Sequence, residues 1–565
     1  MSTTTSIRKR KDITMLVILL AILLLVNFVC SFYFNRFDLT TEKRYTLSPS
    51  TIKLLKELDD VVYLKIYLQG DINPNFTRLE NETREILDEF RAYSNDQIEY
   101  EFVNINDNPN KEEVNKIEKQ LYDKGIIPEQ VVERNTEKTS EALVWPGALV
   151  TYRSNEGVWQ IYKRQEGFAQ EQSINNSIQE MEYSLTNAIR KLKNRKKPEV
   201  LFVQGHGELD TIHGADFMRS LSEYYNVRLV DINHKLYALK NADAIVIAQP
   251  DSMYDEKDKF IIDQFIMRGG KALWLIDPVY TNMDTFRLRG YTLGFKNELN
   301  LDDILFKYGV RLNPVLVQDM QCASVPVNVG FKKGQPNFRM FPWLYYPLIL
   351  PDLNHPIVKN LDLIKLEFAG TLDTVSARNV KKTILLRTSR YTKTQPTPAR
   401  VAMAMVNFQP KEEQFRNSYQ NVACLLEGSF ESVYKNRMTS VIMNDSAIAF
   451  KEKSKPTRMI VVSDGDIAKN DYQRATGMVY PLGYDIYMKQ TFANKSFLLN
   501  CMNYLLDDEG LLQLRSREVK LRLLDKKKVN QQASTWKIIN IGYPLGIVII
   551  AGLIQFYIRK RRYTK

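Results

Sequence analysis

Twenty-two consecutive residues without a charge, Ile13 to Phe34 (ITMLVILLAILLLVNFVCSFYF), lie near one end of this 565-residue chain. Twenty-one more, Ile538 to Ile558 (IINIGYPLGIVIIAGLIQFYI), lie near the other. At 1.5 Å of rise per residue the first run spans roughly 33 Å as a helix, against about 30 Å for the hydrocarbon core of a bilayer. In lipid every backbone N–H and C=O must be satisfied within the segment, so each run is expected to be a transmembrane helix. Gly and Pro in the second run are tolerated there, and Trp536 and Tyr557 fall at its edges, where amphipathic rings are favoured. The first run exceeds the apolar part of a signal peptide and no small-x-small cleavage site follows it, so it reads as an uncleaved anchor.

Charge orients the two spans. Of a net +12, the tail of residues 1–12 carries +3 and the tail of residues 559–565 carries +5. Basic residues beside both spans place both termini in the cytoplasm of a two-pass inner-membrane protein, with the bulk in the periplasm. Lys526, Lys527 and Lys528 weaken that signal without reversing it. The +4 left for everything between is too little for a polyphosphate footprint, which excludes nucleic acid. Cys322, Cys424 and Cys501 fall outside the spans and Cys30 inside the first. One disulfide plus a free thiol, or three buried thiols, are both open, and no CxxC or Cys/His cluster suggests zinc.

The exterior divides by pattern, giving an α/β protein. Residues 35–193 read as β-α-β-α-β-β-α: a strand in Asp60–Leu68, a helix in Thr77–Ser94, a strand in Ile98–Asp107, a helix at Lys111–Lys124, a hairpin about Ser154–Gly157 and a helix at Gln170–Lys193. That order suggests a thioredoxin-like domain. Its redox chemistry would need a CxxC after the first strand, and the loop Gln69-Gly70-Asp71-Ile72-Asn73-Pro74 has no sulfur. Residues 198–508 alternate near-continuous apolar strands (Val200–Val203, Val227–Ile232, Asp243–Pro250, Lys271–Pro278, Thr457–Ile467) with helices (Asp216–Tyr225 capped by Asp216, Asp255–Gly270, Phe497–Leu506). Such alternation implies a parallel sheet covered on both faces, a Rossmann-like or glutamine-amidotransferase-like domain. Residues 310–450 read as an α+β insertion, and residues 509–537 as a membrane-proximal helix.

Parallel sheets bind ligands at the carboxyl ends of their strands. Three segments should end there: Gly205-His206-Gly207-Glu208, Asp277-Pro278 and Ser463-Asp464-Gly465-Asp466. His206, Glu208, Asp277, Asp464 and Asp466 are therefore the candidate ligand-pocket residues. HGELDTIH does not set two histidines on one helix face, so no metal is assigned to that loop. Asp464 and Asp466 offer carboxylates to a cation, although Asp-Gly-Asp is more often a polar turn. No GxSxG elbow, P-loop or GxGxxG is present, which leaves no catalytic residues and no cofactor to name.

Several segments resemble one family in order along the chain: FDLTTEKRYTLSPSTIKLLKEL (Phe37–Leu58), GALVTY (Gly147–Tyr152), FVQGHGE (Phe202–Glu208), CLLEGSFES (Cys424–Ser432), VVSDGDIAKN (Val461–Asn470), and PLGYD followed by FANKSFLLNCMNYLLDDEGLLQLRSREVKLRLLD. With the terminal spans, they resemble the GldG family of gliding motility-associated ABC transporter proteins of Bacteroidota. The resemblance implies a non-enzymatic, substrate-binding-like subunit beside a GldF-like permease and a GldA-like cytoplasmic ATPase, and carries over no catalytic residue. The competing expectations are an anchored hydrolase acting on envelope glycans or peptides, and a structural scaffold of a motility or secretion machine.

Overall fold

Asn73 and Pro74 open the first long helix, Pro74–Tyr93: proline at the first helical position gives up no hydrogen bond, and the Asn73 side chain accepts the N–H groups of Asn75 and Phe76, each at 3.1 Å. The computed structural model describes residues 14–25, 46–69, 73–107, 109–135, 138–164, 170–193, 197–281, 285–286, 289–332, 334–351, 353–407, 410–437, 448–473, 476–507 and 532–563. Phe76, Leu79, Leu87 and Phe90 form the buried stripe of that helix, and Ile174, Met181, Leu185 and Ile189 that of the helix Gln170–Lys193. Both stripes cover one face of a four-stranded sheet.

In that sheet Val62–Ile66 runs parallel to Ile98–Phe102 and antiparallel to Gly147–Tyr152, which turns back as Asn155–Gln160. Leu121, on the helix Lys111–Lys124, packs with Tyr67, Trp145 and Leu149 in a separate cluster. The expected helices at Lys111–Lys124 and Gln170–Lys193 match the observed ones residue for residue. A further hairpin, Glu129–Asn135 with Lys138–Val144, was not anticipated.

The second sheet has seven strands, in the order Val380–Arg387, Asn421–Gly428, Thr457–Val462, Lys271–Leu275, Ala244–Ala248, Glu199–Gln204, Asn226–Asp231. The last five are parallel, and the first two are antiparallel additions at one edge. Neighbouring residues of each strand face opposite ways, so the sheet feeds two cores. Phe202, Val246, Leu273 and Ile460 meet Phe217, Phe497 and Met502 on one face. Val203, Ile247, Trp274 and Val461 meet Ile262, Ile266 and Tyr308 on the other. Each such fully buried side chain contributes about 1.5–3 kcal/mol, which is why these strands read as unbroken apolar runs.

Two expectations are corrected here. The sequence between the fourth and fifth parallel strands is not wholly an insertion over 310–450. It leaves the sheet after Leu275, and two of its strands, Val380–Arg387 and Asn421–Gly428, rejoin it antiparallel. The long hairpin Cys322–Lys332 with Gln335–Ile349 belongs to the part that stays outside. The helix expected at Asp216–Tyr225 is Ala215–Ser222 with Gly214 as its N-cap. Asp216 sits inside the first turn and instead accepts the Leu482 N–H at 2.7 Å and pairs with Lys495 at 2.6 Å. Cys322, Cys424 and Cys501 are all free thiols.

In the C-terminal unit, Glu518–Lys565, the described residues include an apolar helix, Thr535–Arg561 (27 residues), long and apolar enough to cross a membrane. Its ladder widens to a π turn over Ile538–Gly542, just ahead of Pro544, whose missing N–H cannot continue the regular pattern. Of the expected first span, Thr14–Leu25 is an apolar helix and the rest lies outside the described residues. The expected helix at 509–537 is likewise outside them as far as residue 531.

Candidate functional site

The loops at the carboxyl ends of the parallel strands hold all five sequence-selected residues, in two groups. Gln249 follows Ala244–Ala248, Asp277 follows Lys271–Leu275, and Asp464 and Asp466 follow Thr457–Val462. Carboxylate oxygens of Asp277, Asp464 and Asp466 lie within 4.8 Å of one another. The Gly465 N–H donates to Asp277 Oδ1 at 2.6 Å. Gln249 Nε2 bridges Asp277 Oδ2 (3.2 Å) and Asp466 Oδ1 (2.8 Å). Asp464 accepts the N–H groups of Glu367 (2.7 Å) and Ile467 (3.1 Å), and Lys469 pairs with Asp466 at 3.0 Å.

This packing needs Gly465, because a Cβ there would stand 2.8 Å from both Asp277 Oδ2 and Gln249 Cβ. Gln249 itself has φ 53°, a left-handed conformation uncommon for a residue with a side chain. Burial, then the Asp466 carboxylate, pushes Asp277 up to about 7. Burial, then Asp277 and Asp466, drives Asp464 well above the ordinary carboxylate range. The Asp466 charge, ahead of the opposing effect of burial, raises Lys469. Burial and neighbouring carboxylates thus favour the protonated forms of Asp277 and Asp464.

His206 and Glu208 form the second group, with partners the sequence did not point to. The His206 ring stacks on Tyr254, centroids 3.7 Å apart. Its Nδ1 lies 3.4 Å from Glu208 Oε1 and its Nε2 3.3 Å from Asp258 Oδ2. Glu208 accepts the Tyr254 hydroxyl and, at 2.7 Å, the His206 N–H. His234 Nδ1 is 3.0 Å from Asp255 Oδ2 and 3.2 Å from Asp258 Oδ1. Burial opposes protonation of His206, but Glu208 and then Asp258 outweigh it and raise its pKa. Burial would raise Glu208, yet hydrogen bonds from His206 and Tyr254 hold it below the usual value. The glycines of the loop do what their flanking positions imply: Gly205 (φ 118°) and Gly207 (φ 72°) turn the backbone where side chains would meet Asp231 and Asp251.

The Ser463 hydroxyl is fully buried between the carbonyls of Gly370 (3.0 Å) and Val422 (3.1 Å). Burial pushes the Cys424 thiol up to about 12 and the Cys322 thiol up to about 11, so neither is a ready thiolate. A cavity of about 780 Å³ lies elsewhere, beside Phe306 and Leu312, and its cations are occupied: Lys307 by Glu431, Arg311 by Asp373, Arg437 by Asp303. Gln249, His234, Asp255 and Asp258 are legible in retrospect. Gln249 is the polar residue just before the proline that ends the run DAIVIAQP, and the two aspartates open the helix that follows it.

Comparison with known proteins adds three findings. A family model described as "ABC-type uncharacterized transport system" matches residues 197–501, and a domain of unknown function (DUF7088) matches residues 41–151. No curated protein matches the chain. Among solved structures, an mmIFT52 N-terminal domain is similar at 11% identity over 54% of this chain and 96% of that one, with a TM-score of 0.32.

Proposed function

This chain belongs to the ABC-type uncharacterized transport system family, whose model spans residues 197–501, and on that premise we propose that it is a non-enzymatic, membrane-anchored subunit of an ABC-type transporter complex. The family match carries the reading. An ABC system draws its energy from ATP, and this sequence has no P-loop, so a separate ATPase and a permease are the partners. The apolar helix Thr535–Arg561 supports anchoring. In the finer reading a second span near Ile13–Phe34 makes the chain two-pass, with both basic tails in the cytoplasm and the bulk in the periplasm. The finest reading makes the partners GldF-like and GldA-like and the setting gliding motility; it rests on the segment resemblance. His206, Glu208, Asp277, Asp464 and Asp466 are the proposed ligand-contacting edge.

Affinity purification of the tagged full chain in mild detergent tests the complex: a permease and an ATPase should be recovered with it. A stable lone protein overturns the assignment. Labelling single cysteines placed in the tails and in the bulk, with an impermeant reagent on intact spheroplasts, tests the topology. Reaction confined to the bulk is expected.

One observation favours a hydrolytic second reading, namely the carboxyls of Asp277, Asp464 and Asp466 within 4.8 Å of one another at the strand ends. His206→Ala and Asp464→Ala decide it. Function lost while folding and abundance are normal would support an enzyme, and function retained in both would end that reading.

A further inference from the structure

Five ionisable side chains gather where the loop after Glu199–Gln204, the turn after Asn226–Asp231 and the first turn of the helix Glu256–Met267 meet. Asp255 caps that helix. Its Oδ1 accepts the N–H groups of Lys257 (3.0 Å) and Asp258 (2.8 Å), which leaves Oδ2 free to face His234 Nδ1 at 3.0 Å. Asp258, buried, directs Oδ1 to the same ring nitrogen at 3.2 Å and Oδ2 to His206 Nε2 at 3.3 Å. One imidazole nitrogen and two carboxylate oxygens thus lie within 4.8 Å of one another. Ligands bonded at about 2.0–2.1 Å to a four-coordinate ion stand roughly 3.3 Å apart, close to the two contacts of His234.

Charge in this group is unbalanced. Glu208, Asp255 and Asp258 are three carboxylates, and among the described residues no lysine or arginine pairs with any of them. The only bases present are the two imidazoles, and a neutral imidazole has one N–H. His234 Nδ1 faces two carboxylates with at most one proton to offer. His206, only 7% exposed, faces a carboxylate at each nitrogen, and its Nδ1 makes no hydrogen bond. The helix N-terminus disfavours a cation by about 0.3–1 kcal/mol, a small effect beside three nearby carboxylates.

We propose that His234 Nδ1, Asp255 Oδ2 and Asp258 Oδ1 bind a divalent transition-metal ion of the zinc class. His206 donates Nε2–H to the second oxygen of Asp258 and fixes that carboxylate from the buried side, and the Tyr254 ring fixes His206. The exposed sides of His234 and Asp255, 47% and 46% accessible, leave the remaining position to solvent or to a ligand group. Mixed nitrogen and oxygen donors in a set of three suit zinc, whereas magnesium and calcium favour six or more oxygens. The all-oxygen group Asp277–Asp464–Asp466 is the internal control.

The test uses the full chain in detergent, without a histidine tag, stripped with chelator and titrated with Zn²⁺ by calorimetry, with metal content measured after desalting. One saturable equivalent is expected. His234→Gln and Asp255→Asn should each weaken it at least tenfold, while Asp466→Asn leaves it unchanged. Asparagine keeps the capping oxygen, so Asp255→Asn should melt like wild type without metal. If it does not, the exposed His234 carries the test alone. No saturable binding overturns the proposal, as does binding that survives His234→Gln or is lost in Asp466→Asn.

Discussion

The four-stranded and seven-stranded sheets differ in how much charge they bury: beside the first, Glu89 is the buried carboxylate among the described residues, and beside the second there are several. Around the first, ion pairs ride the surface: Lys193 with Glu57 at 2.7 Å, Lys65 with Glu101 at 3.5 Å, Lys124 with Glu156 at 2.5 Å, and Arg153 with Asp59. Around the second, carboxyls are driven inside at the strand ends: Asp464 is fully buried, and Glu208 and Asp258 nearly so. Buried charge is costly unless paired and hydrogen-bonded, and a packing surface can be built without it. The difference concentrates buried carboxyls at one edge of residues 197–507.

The largest expected effect concerns the cores that the two regions share as a principle. Phe202→Ala, which removes a ring packed edge-on to Phe217 at 5.6 Å, should cost about 3–5 kcal/mol in denaturant unfolding. Phe90→Ala in the first region should cost a similar amount; a much smaller loss there would mean its core is looser than its burial implies.

Next, Asp464→Ala should lose about 1–3 kcal/mol, because the N–H groups of Glu367 and Ile467 are stranded. Asp59→Ala on the first sheet should lose much less, because its ion pair with Arg153 is screened by solvent. Equal losses would break the contrast between buried and surface carboxyls.

The contrast also has a pH signature. Asp277 binds its proton more tightly folded than unfolded, since its pKa rises from 3.8 to about 7. Its contribution to stability is therefore present below about 3.8 and is lost as pH rises towards 7. Asp277→Asn should remove that loss, so its melting temperature relative to wild type should rise between pH 4 and pH 8. A pH-independent difference would show that the carboxyl is not perturbed. In the first region, Asn73→Ala should cost about 1 kcal/mol in thermal unfolding through its lost cap.

Much of this was legible before any coordinates. The helices Lys111–Lys124 and Gln170–Lys193 carry their own punctuation, Asn110 and Gly125 for the first and a long amphipathic period for the second. The parallel strands announce themselves because both faces are covered. The hairpin Glu129–Val144 did not, because its alternation is broken by charge: NTEK (Asn135–Lys138) reads as loop. Val380–Arg387 and Asn421–Gly428 were hidden for another reason. Val380–Arg387, at the edge, needs only one apolar face, so VKKTILLR resembles any half-exposed strand; Asn421–Gly428 is an apolar run buried on both faces, and nothing local says which sheet either joins.

The linear order of residues settled the membrane-length apolar helix, the alternation of strand and helix, and the placing of polar loops at one sheet edge, because hydrophobic periodicity and length are local properties. It did not settle that His206 and Glu208 part company with Asp277, Asp464 and Asp466, or that His206 and His234 both meet Asp258. Those pairings join residues tens to hundreds of positions apart. Only the packing of helix Glu256–Met267 and the strand order of the sheet bring them within hydrogen-bonding distance.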